Sequence, residues 1–293
     1  MGYTGKTGCV MVLYNHQPDS LKKGIGSLLS QFDMLVLVDN TPGRDDSDAF
    51  ADNIIIYIPL GANKGIACAQ NIGVKSLIDN GIDYIFFSDQ DSLLPSDIKE
   101  KMIAAYAALK NAGIPTGSLG SIFVNSKTGK PYADKNGIKG QFTVDGIEVR
   151  EVYSVGSSGS MIHRDAFLVN GGFDEALFID GVDNEWGWRA AARHGMRNFE
   201  VPGCEIYQTL GEGDNSIMGK RVSISSPARV YYQFRNYIWL LGRDYVPAFW
   251  KWKNFLKYAV KFFYFPIMCR PRRQYMTNIL KGIRDGVVIS DKR

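Results

Sequence analysis

Through the first hundred residues, short β-rich apolar runs alternate with amphipathic stretches, and this alternation is the pattern of βαβ units laid around a mostly parallel sheet. Val10–Tyr14 predicts a first strand and Asp19–Gln31 its helix. Met34–Val38 predicts a second strand ending in Asp39-Asn40, and Asn53–Ile58 a third. Gly65–Asn80 reads as a helix with Gly81 near its stop, and Tyr84–Ser88 as a fourth, buried strand running into Asp89-Gln90-Asp91. In open α/β sheets ligands bind beyond the carboxyl ends of the strands. Asn15, Asp39 and the Asp89/Asp91 pair all lie at such ends, so three segments far apart in sequence are expected at one crevice. The competing explanation is local, because Asp and Asn also terminate strands and cap turns.

Composition narrows the class. The chain has 293 residues, 45% apolar and 22% charged, enough for one large α/β domain plus an extension. A formal net charge of +4 is too small over this length to announce a nucleic-acid partner. Cys9, Cys68, Cys204 and Cys269 are widely separated and form no metal or disulfide pattern, which fits a reducing cytoplasm. No signal-peptide core and no spanning apolar run is present, so neither a leader nor a transmembrane helix is expected. After about residue 110 the pattern loosens into Gly-, Ser-, Lys- and Asn-rich turns over Gly117–Gly140, and recovers at Val149–Val155. Gly171–Ala192 reads as a loop feeding a helix, and Val230–Arg293 as a C-terminal extension.

Two acidic segments carry chemistry. Asp89-Gln90-Asp91 places two carboxylates on a tight turn, a donor set suited to Mg²⁺ or Mn²⁺, which take their remaining oxygens from water and a diphosphate. With Ser92, Pro95 and a helix over Ser96–Ala108 behind it, the same turn also reads as a plain strand ending. The second segment, Phe178–Arg189, is a carboxylate-rich turn opening a helix. Asp183 there is a candidate base for a hydroxyl nucleophile; the alternative makes it a helix-terminal dipole partner, with Glu185 an i,i+4 partner of Arg189.

In order along the chain stand Val-Leu-Tyr-Asn (12–15), Val-Asp-Asn (38–40), Asn63-Lys64-Gly65-Ile66-Ala67 with Asn71-Ile72-Gly73, Asp89-Gln90-Asp91, Gly171-Gly172-Phe173-Asp174 and Val182-Asp183-Asn184-Glu185-Trp186. Tyr231–Asn236 and Gly282–Gly286 follow. This series resembles glycosyltransferase family 2, in particular its bacterial rhamnosyltransferase branch. The resemblance implies a GT-A fold, a mostly parallel Rossmann-like nucleotide-binding sheet flanked by helices. It divides the chain into a catalytic domain at 1–229, with a nucleotide-sugar half to about 110 and an acceptor half beyond, and a helical extension at 230–293. It implies that Tyr14, Asn15, Asp39, Asn63, Gly65, Asn71 and Asp89 bind the nucleotide-sugar, and that Asp91 binds the metal with Asp89 and Gln208 as further donors. Asp183 would be the catalytic base of an inverting transfer, with Ser157, Ser158, Gly159, Glu185, Trp186 and Arg189 on the acceptor side. The donor implied is dTDP-β-L-rhamnose and the product an α-L-rhamnoside, in surface polysaccharide (O-antigen) synthesis; another nucleotide-hexose stays open. Many relatives carry a His where this chain has Gln208, a weaker metal donor. His16, His163 and His194 read as structural. A nucleotidyltransferase would show a Gly-rich basic loop, and an oxidoreductase a GxGxxG, after the first strand; neither is present. The rival from another class is a non-catalytic module binding nucleotide-sugars or glycans.

From Val246 to Ile283 there are eight Lys or Arg and no Asp or Glu, set among aromatics. On a helical projection Lys253, Lys257 and Lys261 share one side, with Lys251 the exception, and Trp252, Phe255, Leu256, Ala259, Phe262 and Phe263 the other. Together with Arg270, Arg272 and Arg273 this favours an anionic membrane surface, hence peripheral attachment to the inner face of the cytoplasmic membrane and a lipid-linked glycan acceptor. The competing expectation is a helix packed on the catalytic domain with its lysines in water.

Overall fold

The structure, a computed structural model, describes residues 5–125, 128–132, 137–208, 216–217, 220–221 and 225–290. The expected alternation is present: β1 (Thr7–Leu13), α1 (Pro18–Leu29), β2 (Met34–Asp39), β3 (Ile55–Pro59), α2 (Ile66–Asp79), β4 (Tyr84–Asp89) and α3 (Ile98–Asn111). The second half adds β5 (Thr116–Asn125), β6 (Ile138–Val144), β7 (Ile147–Val152), β8 (Ser160–His163), α4 (Arg164–Asn170), α5 (Val182–His194) and β9 (Arg197–Gln208). Three helices follow, α6 (Pro227–Leu241), α7 (Ala248–Met268) and α8 (Arg272–Ser290). These strands form one nine-stranded sheet in the order β3-β2-β1-β4-β8-β5-β9-β7-β6. Its first four strands are parallel, and β8 runs antiparallel to both β4 and β5.

β1 lies between β2 and β4, so the chain leaves it in one direction for β2 and β3 and returns on the other side for β4. The carboxyl ends of β1 and β4 therefore border the switch point, where an α/β sheet leaves a crevice. One apolar layer, from Met11, Leu35, Phe86 and Met102, fills one face of the sheet; another, from Val36, Val74, Phe87 and Trp186, fills the other.

Two expectations need correction. The Gly- and Ser-rich stretch after Gly117 is not a run of turns: β5 is a ten-residue strand inside the sheet. Its small residues answer close approaches, since a side chain at Gly120 would collide with Val155 and one at Gly117 with Asn198. Buried Ser118 and Ser121 bond to Asn198 Oδ1 and to the Gly159 carbonyl, so polar residues sit in a core strand without penalty.

The faces of α7 depart from the competing expectation of a helix packed on the catalytic domain with its lysines in water. Its apolar side, with Trp252, Phe255, Leu256 and Phe263, is exposed. Lys251 is half-buried, donating to the carbonyls of Leu241 and Arg243, and Lys261 donates to Gln233 Oε1 at 2.7 Å. Burial and neighbouring Lys257 pull the Lys261 ammonium down to about 8. The helix is oriented by Tyr258 and Phe265, which face α6 and α8, with Tyr258 stacked on Tyr237 and Phe265 on Tyr275. Gly282 and Gly286 let α8 lie directly on α6: an added Cβ would sit 2.5 Å from the Tyr231 carbonyl and 2.8 Å from that of Arg235. α6 starts at Pro227 and inserts Trp239 and Leu240 into the core beside α5. Among the described residues no helix is long and apolar enough to cross a membrane.

Candidate functional site

A cleft of about 1010 Å³ opens at the carboxyl ends of β1 and β4. Its walls come from the loops after these strands, the turn before α2, the Gly156–Ser158 segment, the 178–184 loop and, across the opening, α6 and α7. The loops after β1 and β4 are tied to each other, since the Tyr14 N–H donates to Gln90 Oε1 at 2.9 Å and Gln90 Nε2 donates to the Tyr14 carbonyl. Asn40 bonds Asn63 and the Lys64 N–H, fixing the turn ahead of α2. Gly65 (φ +86°) then brings the start of α2 against Phe178, whose carbonyl accepts from the Ile66 N–H at 2.7 Å. A side chain at Gly65 would lie 2.7 Å from that same carbonyl, so glycine is required there.

The floor is hydroxyl-rich. Ser158 Oγ accepts from the Asp89 N–H at 3.1 Å, and Ser157 Oγ from Gln70 Nε2 at 2.7 Å. Asp183 sits in the first turn of α5, where Gly181 in a left-handed conformation starts the helix. Its carboxylate accepts from the Asn184 N–H at 2.9 Å and from the Ser157 backbone. Burial nevertheless pushes the Asp183 carboxyl above its ordinary value. Asp89 is pushed up to about 6, first by burial and then by the charges of Asp91 and Asp183.

Three carboxylates thus share one cleft, the charges of Asp91 and Asp183 acting on Asp89, and the charge of Arg229 opposes them there. Arg229 is itself bound to Asp180, at 2.8 Å from Nη2 and 3.0 Å from Nε. Asp91, exposed on the turn, and Asp89 beside it offer hard oxygens of the kind a divalent cation takes, though with Asp183 they do not close to the 4.8 Å mutual spacing that His16, Asp39 and Asp46 reach.

The loop holding Phe178 and Asp180, both at positive φ, is gripped from behind by α6. Asn236 Nδ2 donates to the carbonyls of Leu177, Ile179 and Asp180 at 2.6–3.0 Å. Arg235 donates to those of Ala176 and Leu177. Non-glycine residues in this region cost about 1–3 kcal/mol each and persist where the surroundings over-determine them.

Of the residues singled out from the sequence, Tyr14, Asn63, Gly65, Asp89, Asp91, Ser157, Ser158 and Asp183 line the cleft. Seven others do not. Asp39 is fully buried, accepting from the Thr41 N–H at 2.9 Å and the Tyr57 hydroxyl at 2.6 Å. Asn15 holds the same turn through its N–H to Thr41 Oγ1. Asn71 bonds both the N–H and the carbonyl of Phe173, pinning the 171–175 loop to α2. Gly159 lies beneath the floor, against Ile206 and Ser121.

Glu185, Trp186 and Arg189 occupy the inward side of α5. Glu185 pairs with Arg189 at 2.8 Å and accepts from the Tyr245 hydroxyl at 2.7 Å, Trp186 donates to the Gly171 carbonyl, and Arg189 reaches the Asn170 and Gly172 carbonyls. None of the three lines the cleft. The side chain of Gln208 lies outside the described residues. The structure adds Gln70, Asp180, Arg229, Lys253 and Lys257 to the walls. The signal for Arg229 was Ser226-Pro227, a helix start whose cap accepts from the Arg229 N–H.

Residues 9–168 match the family described as Glycosyl transferase family 2. The chain is 34% identical, over 244 residues, to dTDP-rhamnosyl transferase RfbF of Shigella flexneri, covering 81% of this chain and 80% of that protein. Its fold is similar to that of S. aureus TarS 1-349 in complex with UDP-GlcNAc, with a TM-score of 0.58 and 18% identity over 98% of this chain and 83% of that one. It is similar also to GalNAc-T7 with UDP, GalNAc and Mn²⁺, at 0.57 and 16% identity over 96% of this chain, which spans about half (54%) of the GalNAc-T7 chain. With a family match over more than half its length and a relative aligned over four-fifths of it, the chain belongs to glycosyltransferase family 2 and is a glycosyltransferase of GT-A fold.

Proposed function

We propose that the protein transfers L-rhamnose from dTDP-β-L-rhamnose to a hydroxyl of a lipid-linked glycan in bacterial surface polysaccharide synthesis, with inversion at the anomeric carbon. The observation that carries this reading is the convergence of Asp89, Asp91 and Asp183 on one cleft, in a chain related to a dTDP-rhamnosyl transferase. Tyr14, Asn63 and Gly65 line the nucleotide end, and Ser157 and Ser158 lie under the sugar. Asp91, with Asp89 beside it, would hold Mg²⁺ or Mn²⁺, which when bound supplies positive charge to the departing diphosphate. Asp183 accepts the proton of the acceptor hydroxyl as that oxygen bonds to the anomeric carbon. The bond from this carbon to the diphosphate oxygen breaks in the same step, on the opposite face. A raised carboxyl pKa makes Asp183 a stronger base than a solvated aspartate.

The test is mass-spectrometric detection of sugar transfer from a panel of nucleotide-sugars to lipid-linked acceptors. Transfer from dTDP-rhamnose with Mg²⁺ or Mn²⁺, abolished by EDTA, is the expected result; equal or faster transfer from another nucleotide-hexose would replace the donor.

The reading extends to peripheral attachment at the inner face of the cytoplasmic membrane, supported by the exposed apolar face of α7 and by exposed Arg270, Arg272 and Arg273. Trp252→Ser with Phe263→Ser should weaken binding to phosphatidylglycerol vesicles at least about tenfold, since each large apolar side chain gains roughly 1.5 kcal/mol or more on leaving water. Unchanged vesicle binding would remove the membrane from the proposal.

A further inference from the structure

The helix α7 borders the cleft and solvent at once. Trp250, Lys253, Asn254 and Lys257 line the cleft. Trp252 (72% exposed), Leu256 (69%), Val260 (66%) and Phe263 (63%), followed by exposed Ile267, form an apolar ridge on the outside. At about 100° per residue, Lys253 and Lys257 fall between this ridge and the buried side that carries Asn254, Tyr258 and Phe265. The two lysines therefore mark the line where the cleft gives way to the ridge.

The charges within the cleft are segregated. The carboxylates Asp89, Asp91 and Asp183 come from the strand ends and the start of α5, whereas the lysines come from a helix without a single acidic residue. Arg229 is committed to Asp180, and Arg150, elsewhere in the wall, lies 3.4 Å from Glu200. Lys253 has no ion-pair partner among the described residues. Lys253 and Lys257, one helical turn apart on the cleft wall, present two ammonium donors side by side, and a doubly or triply charged phosphate ester suits that spacing. An anion held there by its head would find the ridge beside it for an apolar tail.

We propose that Lys253 and Lys257 form a phosphate-binding subsite at the acceptor end of the cleft. It takes the phosphate or diphosphate of an amphiphilic acceptor whose hydrocarbon chain leaves over the Trp252–Leu256–Val260–Phe263 ridge. This deepens the reading of a lipid-linked acceptor and rests on it. It assigns the lysines to the acceptor and leaves the donor diphosphate to the side of the cleft where Asp91 and Arg229 stand.

The test uses the full chain, saturated with dTDP and Mg²⁺ so that the donor end is filled, and farnesyl diphosphate as the probe. Inorganic diphosphate and farnesol are titrated separately to read head and tail alone. Lys253→Gln with Lys257→Gln should weaken farnesyl diphosphate binding tenfold or more and leave dTDP affinity unchanged. Leu256→Ser with Val260→Ser should weaken farnesyl diphosphate severalfold and leave inorganic diphosphate where it was. All four positions are exposed, and matching thermal melts confirm the folded state of each variant. Unchanged farnesyl diphosphate binding in the lysine variant overturns the subsite, as does an equal fall in dTDP affinity, which would move the lysines to the donor. Inorganic diphosphate binding as tightly as farnesyl diphosphate overturns the role of the ridge. Release of dTDP from dTDP-rhamnose in the presence of lipid-linked glycan acceptors, read in parallel without added dTDP, separates the two proposals: no turnover with these acceptors, while farnesyl diphosphate still binds through the lysines, removes the rhamnosyl reading and keeps the subsite.

Discussion

Behind β2, Asp39 and Asp46 stand with His16, their ligand atoms within 4.8 Å of one another, a spacing that would suit a metal. Across the cleft stand Asp89, Asp91 and Asp183. The first group is already compensated. Arg44 donates to Asp46 at 2.5 Å, His16 Nε2 lies 3.1 Å from the same carboxylate, and Thr41 and Tyr57 satisfy Asp39. The second group is not: Asp89 is pushed up by burial and then by the charges of Asp91 and Asp183, and Asp183 is pushed up by burial. A buried carboxylate supplied with donors is architecture, whereas carboxylates left to repel one another in an open cleft are waiting for a cation or a proton.

The largest effect expected from this contrast is at Asp183. Asp183→Asn keeps the acceptor oxygen for the Asn184 N–H but removes the base, so kcat for sugar transfer should fall roughly 10²–10⁴-fold, the usual weight of a positioned general base. Because the ionised carboxylate is held at a cost, the melting temperature at pH 7 should stay level or rise. A variant that transferred sugar at the parent rate, or that melted much earlier, would put Asp183 in the compensated class.

Next in size is the pH response of the cation-free protein. Asp89 has a folded-state value of about 6 against an ordinary 3.8, so the folded state binds its proton more tightly than the unfolded chain does. Stability from this group is complete below about pH 4 and is lost as pH rises through 6, by up to roughly 3 kcal/mol. Denaturant titrations with EDTA present should show this loss between pH 4 and 7, and Asp89→Asn should flatten it. Added Mg²⁺ should restore stability only on the alkaline side and release protons near pH 6. A flat profile in the parent protein would mean that Asp89 is compensated after all.

The contrast also explains what the sequence allowed to be read. Strand-end carboxylates were legible because apolar runs and their terminators are local, so Asp89, Asp91 and the parallel half of the sheet were in reach. The direction of a side chain around a helix is not local. Glu185, Trp186 and Arg189 lie within about two turns of Asp183, yet the packing of α5 against the 171–175 loop and Tyr245 turns them inward. The same holds for α7, whose two faces were visible in the pattern while their orientation was set by Tyr237, Gln233 and Tyr275. Strand β5 was hidden because its glycines and serines answer contacts from Val155 and Asn198, both remote in sequence. Lys253 and Lys257 carry no motif, and only folding brings them, with Arg229, to the cleft.

The smallest effects belong to the compensated group, and they must differ between its two acids if the argument is right. Asp39 has no exposed surface, so Asp39→Ala strands the Thr41 N–H and the Tyr57 hydroxyl, both partly or fully buried, and should cost roughly 2–3 kcal/mol of unfolding free energy. Arg44 and Asp46 each keep about a quarter of their side chain in water, at 25% and 22%. Arg44→Gln should therefore cost no more than about 1 kcal/mol, a loss that salt in the parent protein would largely mimic. Neither change should alter kcat for sugar transfer by more than a few-fold, because neither residue lines the cleft. A collapse of kcat in Arg44→Gln without a matching fall in the denaturation midpoint would place the His16 group in the chemistry and erase the distinction between the two clusters.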